Sequence, residues 1–241
     1  MIFKEIAFDL PYMANENDIA RIMNEKNCLR NDATKIDYVQ NWKMKRRNFS
    51  LQTRCVSSMF ERLMGKIITK KCSKLLIECV PDNNETALLE FSEVSSVKMK
   101  FDYDNFMLLD NLQKKKTILE LLMKGVQTFA KKEALDYEQF VVVYNQIVEL
   151  DYINRWIWKK SIKSPSKKHS AELVVKHDVE MVIFMIVIKD SMGNEVKTED
   201  LLTELPDEYA YANHLGNLTW SDDKSVTLIN KKGDQSWTVS I

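Results

Sequence analysis

Apolar residues recur at three- and four-residue steps in several stretches of the chain, and this spacing predicts amphipathic helices. The clearest example covers residues 56–67, where valine, methionine, phenylalanine, leucine and isoleucine fall on one side. Two shorter helices are predicted before it, one capped by Asn15 and one starting at Thr34 and Asp37. The N-terminal part is therefore expected to be mainly helical.

A period of two replaces the helical spacing in the middle of the chain. Residues 97–103 alternate between apolar and polar side chains, which is typical of a half-buried strand. Residues 75–80 read as a buried strand, residues 81–84 as a turn, and residues 87–91 as a strand returning antiparallel to the first. These signals predict a three-stranded β-meander over about residues 74–103.

Two long helices are predicted after the meander. An apolar stripe runs from Leu108 to Phe129, and Asp136 with Gln139 forms a capping pair for a helix that continues towards Trp158. Because the join between them is short, we predict an antiparallel helical hairpin over about residues 105–160.

The last third of the chain returns to strand patterns. Residues 180–189 are apolar enough for a central strand, residues 191–194 suit a hairpin turn, and three short strand-like runs follow residue 217. We predict an α+β fold with a C-terminal antiparallel sheet. Residues 159–170, which contain Pro165 and five lysines, mark the boundary between parts 1–163 and 169–241, which either fold separately or pack as one unit.

Glycine is scarce, and its spacing excludes several families of catalytic loop. The 241 residues include 5 glycines, and the nearest pair, Gly216 and Gly233, is 17 residues apart. Phosphate-binding loops and the nucleophile elbow need glycines a few residues apart, because backbone N–H groups must crowd the ligand or turn sharply. The four cysteines and three histidines show no metal-ligand spacing. We therefore predict no cofactor, no catalytic motif and no metal motif.

Charge and cysteine content bear on location and partners. The 35 basic and 35 acidic residues cancel, so no chain-wide attraction to nucleic acid or to a membrane is expected. Lys4, Glu5 and Asp9 interrupt any apolar export signal, and we expect a cytoplasmic protein with reduced cysteines. The charge is nevertheless segregated, because residues 169–241 hold 13 acidic and 6 basic side chains.

This acidic block supports our first hypothesis, a non-enzymatic module that binds another, basic protein. Inhibitors and toxin-immunity proteins share this charge-patterned, motif-poor profile. Aromatic side chains within an acidic rim suit a binding hot spot, although the two tyrosines would serve equally well as anchors against the core. The predicted surface consists of Glu204, Asp207, Glu208, Tyr209, Tyr211, Trp220, Asp222 and Asp223.

Two alternatives involve other residues. A basic segment near Trp42 would bind nucleic acid, unless its charges simply form a solvated helix face; it comprises Lys43, Lys45, Arg46, Arg47 and Arg54. Lys176, Asp178 and Glu180 would share one face of a strand and hold a divalent metal beside a phosphate, or would simply be the exposed start of that strand.

Overall fold

Helices and several sheets together form an α+β structure, and the predicted antiparallel pairing in the C-terminal part is confirmed. The structure is a computed structural model that describes residues 1–82, 88–158 and 160–241. It divides into two units, which we call unit 1 (Met1–Tyr152) and unit 2 (Ile153–Ile241).

Unit 1 combines a mixed sheet with helices. Its described elements are β1 (Ile2–Phe3), β2 (Glu5–Asp9), α1 (Glu16–Lys26), α2 (Arg30–Asp37), a π-helical segment (Tyr38–Trp42), α3 (Lys43–Leu63), β3 (Ile67–Ile68), β4 (Lys74–Val80), β5 (Leu88–Phe91), β6 (Val94–Lys100), α4 (Tyr103–Leu108), α5 (Asn111–Glu133) and α6 (Glu138–Glu149).

Side-chain capping marks the start of α1 but not that of α2, whose N-cap residue, Leu29, makes no side-chain hydrogen bond. The side chain of Asn15 accepts the N–H of Asn17 at 3.0 Å and so caps α1. Thr34 does not start the second helix. It lies inside α2, where its hydroxyl donates to the carbonyl of Arg30 at 2.9 Å, because the helix already begins one turn earlier.

The predicted meander over residues 74–103 is wrong in its strand order. The sheet runs β2-β4-β6-β5, with β2, β4 and β6 parallel to one another and β5 antiparallel to β6 at the far edge. Alternation along a strand shows which side chains share a face but not which strand lies alongside. Residues 83–87, which include part of the predicted turn and the first residue of the returning strand, lie outside the described residues.

Close packing of α5 on the sheet explains a glycine within that helix. A Cβ atom at Gly125 would lie 2.8 Å from Cδ1 of Ile77 and 3.6 Å from Cγ1 of Val97. Ile77 and Val97 are directly opposite each other on β4 and β6, and both are fully buried. Gly125 therefore lets the helix approach the centre of the parallel strands.

The second long helix ends earlier than predicted. Beyond Glu149 the backbone takes positive φ values at Asp151 and Tyr152, and residues predicted to continue the helix pair with the C-terminal sheet. Within unit 1, the hydroxyl of Tyr144 on α6 donates to Glu120 of α5 at 2.7 Å.

Unit 2 consists of two antiparallel sheets and one short helix. Its described elements are β7 (Asn154–Ile157), β8 (Ile162–Lys163), β9 (His169–His177), β10 (Val182–Asp190), β11 (Glu195–Glu204), α7 (Glu208–Tyr211), β12 (Asn217–Trp220), β13 (Ser225–Ile229) and β14 (Ser236–Ser240). One sheet runs β11-β10-β9-β7 with β8 also on β9, and the other runs β12-β13-β14.

Apolar side chains from both sheets of unit 2 form one core. Leu173 and Val175 of β9, Phe184 of β10, and Val226 and Leu228 of β13 are completely buried in it. The described part of the predicted linker, residues 160–170, belongs to this unit, since β8 pairs with the start of β9. Lys159 lies outside the described residues.

Candidate functional site

Four of the predicted partner-binding residues lie together at one end of the large sheet in unit 2. Val182, the first residue of β10, is in register with both His177 and Glu204, so the end of β11 marks this end of the sheet. The helix α7 follows directly, and Asp207 caps it by accepting the N–H of Tyr209 at 2.9 Å. We call Glu204, Asp207, Glu208 and Tyr209 the α7 tip.

The two tyrosines of α7 have opposite environments. Tyr209 is 98% exposed, whereas Tyr211 is 5% exposed and its ring lies 6.1 Å from that of Phe184 in the core. Two helical residues that are two positions apart point about 200° apart around the axis, so one faces inward when the other faces solvent. Tyr211 is thus a core anchor, and Tyr209 is the aromatic side chain that a partner can contact.

The carboxylates of the α7 tip differ in their hydrogen-bond partners. Glu204 Oε2 lies 3.3 Å from Nε2 of His214, and Glu204 Oε1 accepts the N–H of Leu205 at 2.9 Å. Asp207 is occupied by the helix cap. Glu208 occupies the first turn of α7, where the helix dipole favours a negative charge.

Asp222 and Asp223 lie in the β12–β13 turn, near the opposite end of the large sheet. Asp223 Oδ1 accepts the N–H of Ser166 at 2.7 Å, in the loop that leads into the start of β9 at His169. The α7 tip is level with the other end of β9, at His177, and nine strand residues span about 26 Å at roughly 3.3 Å per residue. The predicted acidic surface is therefore two separate patches.

The residues of the second patch, Trp220, Asp222 and Asp223, make hydrogen bonds that stabilise unit 2. Asp222 Oδ1 accepts the N–H groups of Lys224 and Ser225 at 2.7 and 2.8 Å and so holds the β12–β13 turn. The Ser166 N–H lowers the pKa of Asp223. Trp220 is half-buried, and its indole N–H donates to the carbonyl of Ile162 at 3.1 Å.

The lysine and carboxylates of the metal-site alternative do not share a strand face. The strand β9 ends at His177, and the N–H of Asp178 donates to the carbonyl of Met181 at 2.8 Å, so Asp178 and Glu180 lie in the turn that leads to β10. Among the residues that the structure describes, no group of three histidine, cysteine, aspartate or glutamate side chains could hold a metal ion. That turn instead places Asp178 and Glu180 at the same end of the sheet as the α7 tip.

Sequence reasoning missed this proximity because it depends on strand pairing. Glu204 follows Glu180 by 24 residues, and only the antiparallel register of β9, β10 and β11 brings their strand ends together. The available signal was the turn at residues 191–194, which implies that β11 runs back towards the start of β10.

Two of the three arginines in the predicted nucleic-acid-binding segment are already paired with carboxylates of unit 1. Arg46 makes a bidentate contact with Asp9 at 2.6 and 2.7 Å. Arg54 makes another with Glu61 at 2.8 and 2.7 Å. These guanidinium groups serve the fold, since a bidentate carboxylate uses the same donors that a phosphate would need.

Lys45 also makes contacts within unit 1, so Lys43 and Arg47 are the basic residues of the segment that remain to be considered. Its ammonium lies 4.2 Å from the ring centre of Tyr103, 5.0 Å from that of Trp42 and 3.7 Å from Asp104. Lys43 and Arg47 are exposed and lie one helical turn apart on α3. The structure therefore does not assemble the five basic residues into one free patch.

Comparisons with protein-family models, with curated proteins and with solved structures find no match to this chain. Among the described residues, every helix is too short or too polar to cross a lipid bilayer.

Proposed function

We propose that this protein is a non-enzymatic protein-binding module, of the inhibitor or immunity type, that binds a basic surface of another protein through the α7 tip. The observation that carries the proposal is the 98% exposure of Tyr209. Tyrosine is enriched among the residues that dominate binding energy, and an exposed ring offers a large contact area to a partner.

The electrostatics of the α7 tip support a basic partner. Three carboxylates flank Tyr209 within five residues of the chain, and Asp178 and Glu180 lie at the same end of the sheet. An aromatic anchor surrounded by acidic side chains complements a partner that offers an apolar pocket with lysine or arginine around it. Such a rim accelerates association and selects the partner, while the ring supplies most of the affinity.

The test is capture from the native host, followed by affinity measurements with the purified partner. We expect Tyr209→Ala to weaken binding by about 30-fold, the effect of losing a hot spot worth roughly 2 kcal/mol. Glu208→Lys should weaken binding by a smaller factor that decreases as salt rises, because it acts through charge. Asp207 is left unchanged because it caps α7.

Met192→Ala is the matched control. Met192 is 82% exposed and lies in the β10–β11 turn, at the other end of the sheet from the α7 tip. The control should bind like the unchanged protein. If Tyr209→Ala and Met192→Ala bind the partner equally well, the proposed surface is wrong.

A further inference from the structure

The sheet of unit 1 buries only one of its faces. On the first face, Ile6, Leu75, Ile77 and Val97 are fully buried. On the other face every described side chain is half-buried or exposed; these are Glu5, Ala7 and Asp9 of β2, Lys74, Leu76, Glu78 and Val80 of β4, Leu89 and Phe91 of β5, and Val94, Ser96, Lys98 and Lys100 of β6. We call this second face the open face.

An open face is unusual for strands that pair in parallel. The strands β2, β4 and β6 are parallel, and parallel sheets normally have both faces covered, most often by helices. Leu76, which is half-buried, lies on β4, one of the two central strands of the sheet. Among the residues that the structure describes, none forms the second layer that usually covers this type of sheet.

Large apolar side chains extend the open face to the sheet edge. Leu89 is 58% exposed and lies opposite Ser96, and Phe91 is 85% exposed and lies opposite Val94. Directly opposite residues of an antiparallel pair point to the same side of the sheet, so both side chains belong to the open face. Their exposure is costly in water and favours burial against a partner.

A groove crosses the open face where the parallel strands begin. It has a volume of about 620 Å³, and its lining includes the apolar Ile2, Phe91 and Val94. The charged residues of the lining are Lys4, Lys74, Glu5 and Glu93, and the carboxylate of Glu93 accepts the hydroxyl of Ser73 at 3.2 Å. Lys74 is paired with Glu5 at 2.7 Å. Lys4 is exposed and has no ion-pair partner among the described residues, so a partner's carboxylate would complement it.

The size of the open face fits a helix better than a second copy of the chain. Four strands are about 14 Å across between the outer axes and five residues are about 17 Å long, which gives a patch of roughly 250 Å². A stable dimer buries about 800 Å² on each partner. A helix about 10 Å wide and three turns (about 16 Å) long covers about two thirds of this patch.

We propose that the open face binds an amphipathic helix of a partner protein, with the apolar stripe of the helix against Leu76, Leu89 and Phe91 and an acidic side chain against Lys4. This is the helix-in-groove mode of recognition. The inference concerns unit 1 alone and does not depend on the function proposed for the α7 tip.

The test uses the full chain and a designed 18-residue peptide. The peptide has leucines at helical spacing with glutamates beside them, and a second peptide of equal composition has its leucines dispersed. We expect the first peptide to become helical by circular dichroism on binding and to bind at least tenfold more tightly than the second. Equal binding of the two peptides, or no binding of either, would overturn the proposal.

Variants locate the binding surface. Phe91→Asp should weaken binding of the leucine-stripe peptide at least tenfold, whereas Met192→Asp in unit 2 should leave it unchanged. Both side chains are exposed, so both variants should melt at the temperature of the unchanged protein. A Phe91→Asp variant that binds normally would overturn the proposal.

A charge exchange tests the assigned partner chemistry. Lys4→Glu should weaken binding of the glutamate-flanked peptide and strengthen binding of a lysine-flanked version.

A loss of self-association in Phe91→Asp, measured by light scattering, would overturn the proposal in favour of a dimer. A loss of binding to anionic phospholipid vesicles in the same variant would overturn it in favour of a membrane surface.

Discussion

Replacing Glu61 with alanine should destabilise unit 1 strongly, because this carboxylate holds the outer edge of the sheet. Glu61 lies on α3, and its Oε1 accepts the backbone N–H of Ile6 on β2 at 2.8 Å. Both terminal nitrogens of Arg54 donate to the same carboxylate at 2.8 and 2.7 Å. The Glu61 side chain is 13% exposed and that of Arg54 is 23% exposed, so water cannot easily replace these contacts.

The magnitude follows from what alanine leaves behind. A hydrogen bond to a charged acceptor contributes about 1.5–3 kcal/mol, and the Ile6 N–H would lose one while remaining partly buried. The guanidinium of Arg54 would lose its carboxylate, but it retains enough solvent contact that we add only about 1 kcal/mol for it. We therefore expect Glu61→Ala to lower the free energy of unfolding by about 3 kcal/mol.

Amide hydrogen exchange is the appropriate assay, because a chain of two units need not unfold in one step. The Ile6 amide should exchange about 150-fold faster in Glu61→Ala, which is the factor that corresponds to about 3 kcal/mol. Glu61→Gln keeps an acceptor for the Ile6 N–H and should show a smaller effect. The control Glu25→Ala removes an exposed i,i+4 pair with Arg21 and should change stability by less than about 0.5 kcal/mol.

Two outcomes would refute this reasoning. The Ile6 amide would exchange at the same rate in Glu61→Ala as in the unchanged protein, or Glu61→Gln would be as unstable as Glu61→Ala. The first would mean that the edge of β2 needs no side-chain acceptor. The second would mean that charge alone, and not the hydrogen bond to the backbone, stabilises the edge.

Three further predictions concern unit 1. Burial, together with the hydrogen bond to Asp37, raises the pKa of Tyr12 to about 12, so its phenol should ionise well above the ordinary value in an ultraviolet titration. The stability that it contributes should be complete below about pH 10 and disappear as pH rises towards 12, and Tyr12→Phe should reduce this loss; an unchanged loss in the variant would refute the assignment. Gly125→Ala should destabilise the protein by about 1–3 kcal/mol in urea unfolding, because the new methyl group meets Ile77, and a stabilised variant would show that α5 can shift. If the chain binds nucleic acid through its basic segment, exchanging Lys43 and Arg47 for alanine should lower the salt dependence of binding by about two units of slope, and an unchanged slope would exclude that segment.

Local patterns in the sequence predict the faces of elements better than their neighbours. The alternation in β6 correctly indicates that Val97 is buried and Lys98 exposed. The alternation does not indicate which strands lie on either side of β6. For this reason the predicted meander is wrong, and the structure instead pairs β4 with β6 in parallel. The close approach of Gly125 to Ile77 and Val97 shows that α5 packs on both of these strands, a contact that the alternation within one strand does not reveal.

The same limit applies to the candidate site, where the sequence predicts residue types but not their orientation or their neighbours. The sequence contains two tyrosines in an acidic segment, and each could contact a partner or anchor the segment in the core. In the structure Tyr209 is exposed and available to a partner, and Tyr211 is buried in the core. Spacing along a four-residue helix requires opposite orientations but does not show which ring faces inward. The separation of Asp223 from Glu204 along β9 depends on strand register, which a charge count along the chain cannot reveal.

Photocrosslinking at the α7 tip tests the central claim most directly. The full chain would carry p-benzoylphenylalanine in place of Tyr209 in one sample and in place of Met192 in another, and both would be irradiated in the native host. We expect a covalent adduct with one basic protein from position 209 and none from position 192. Equal adducts at both positions, or an adduct at position 192 alone, would contradict it.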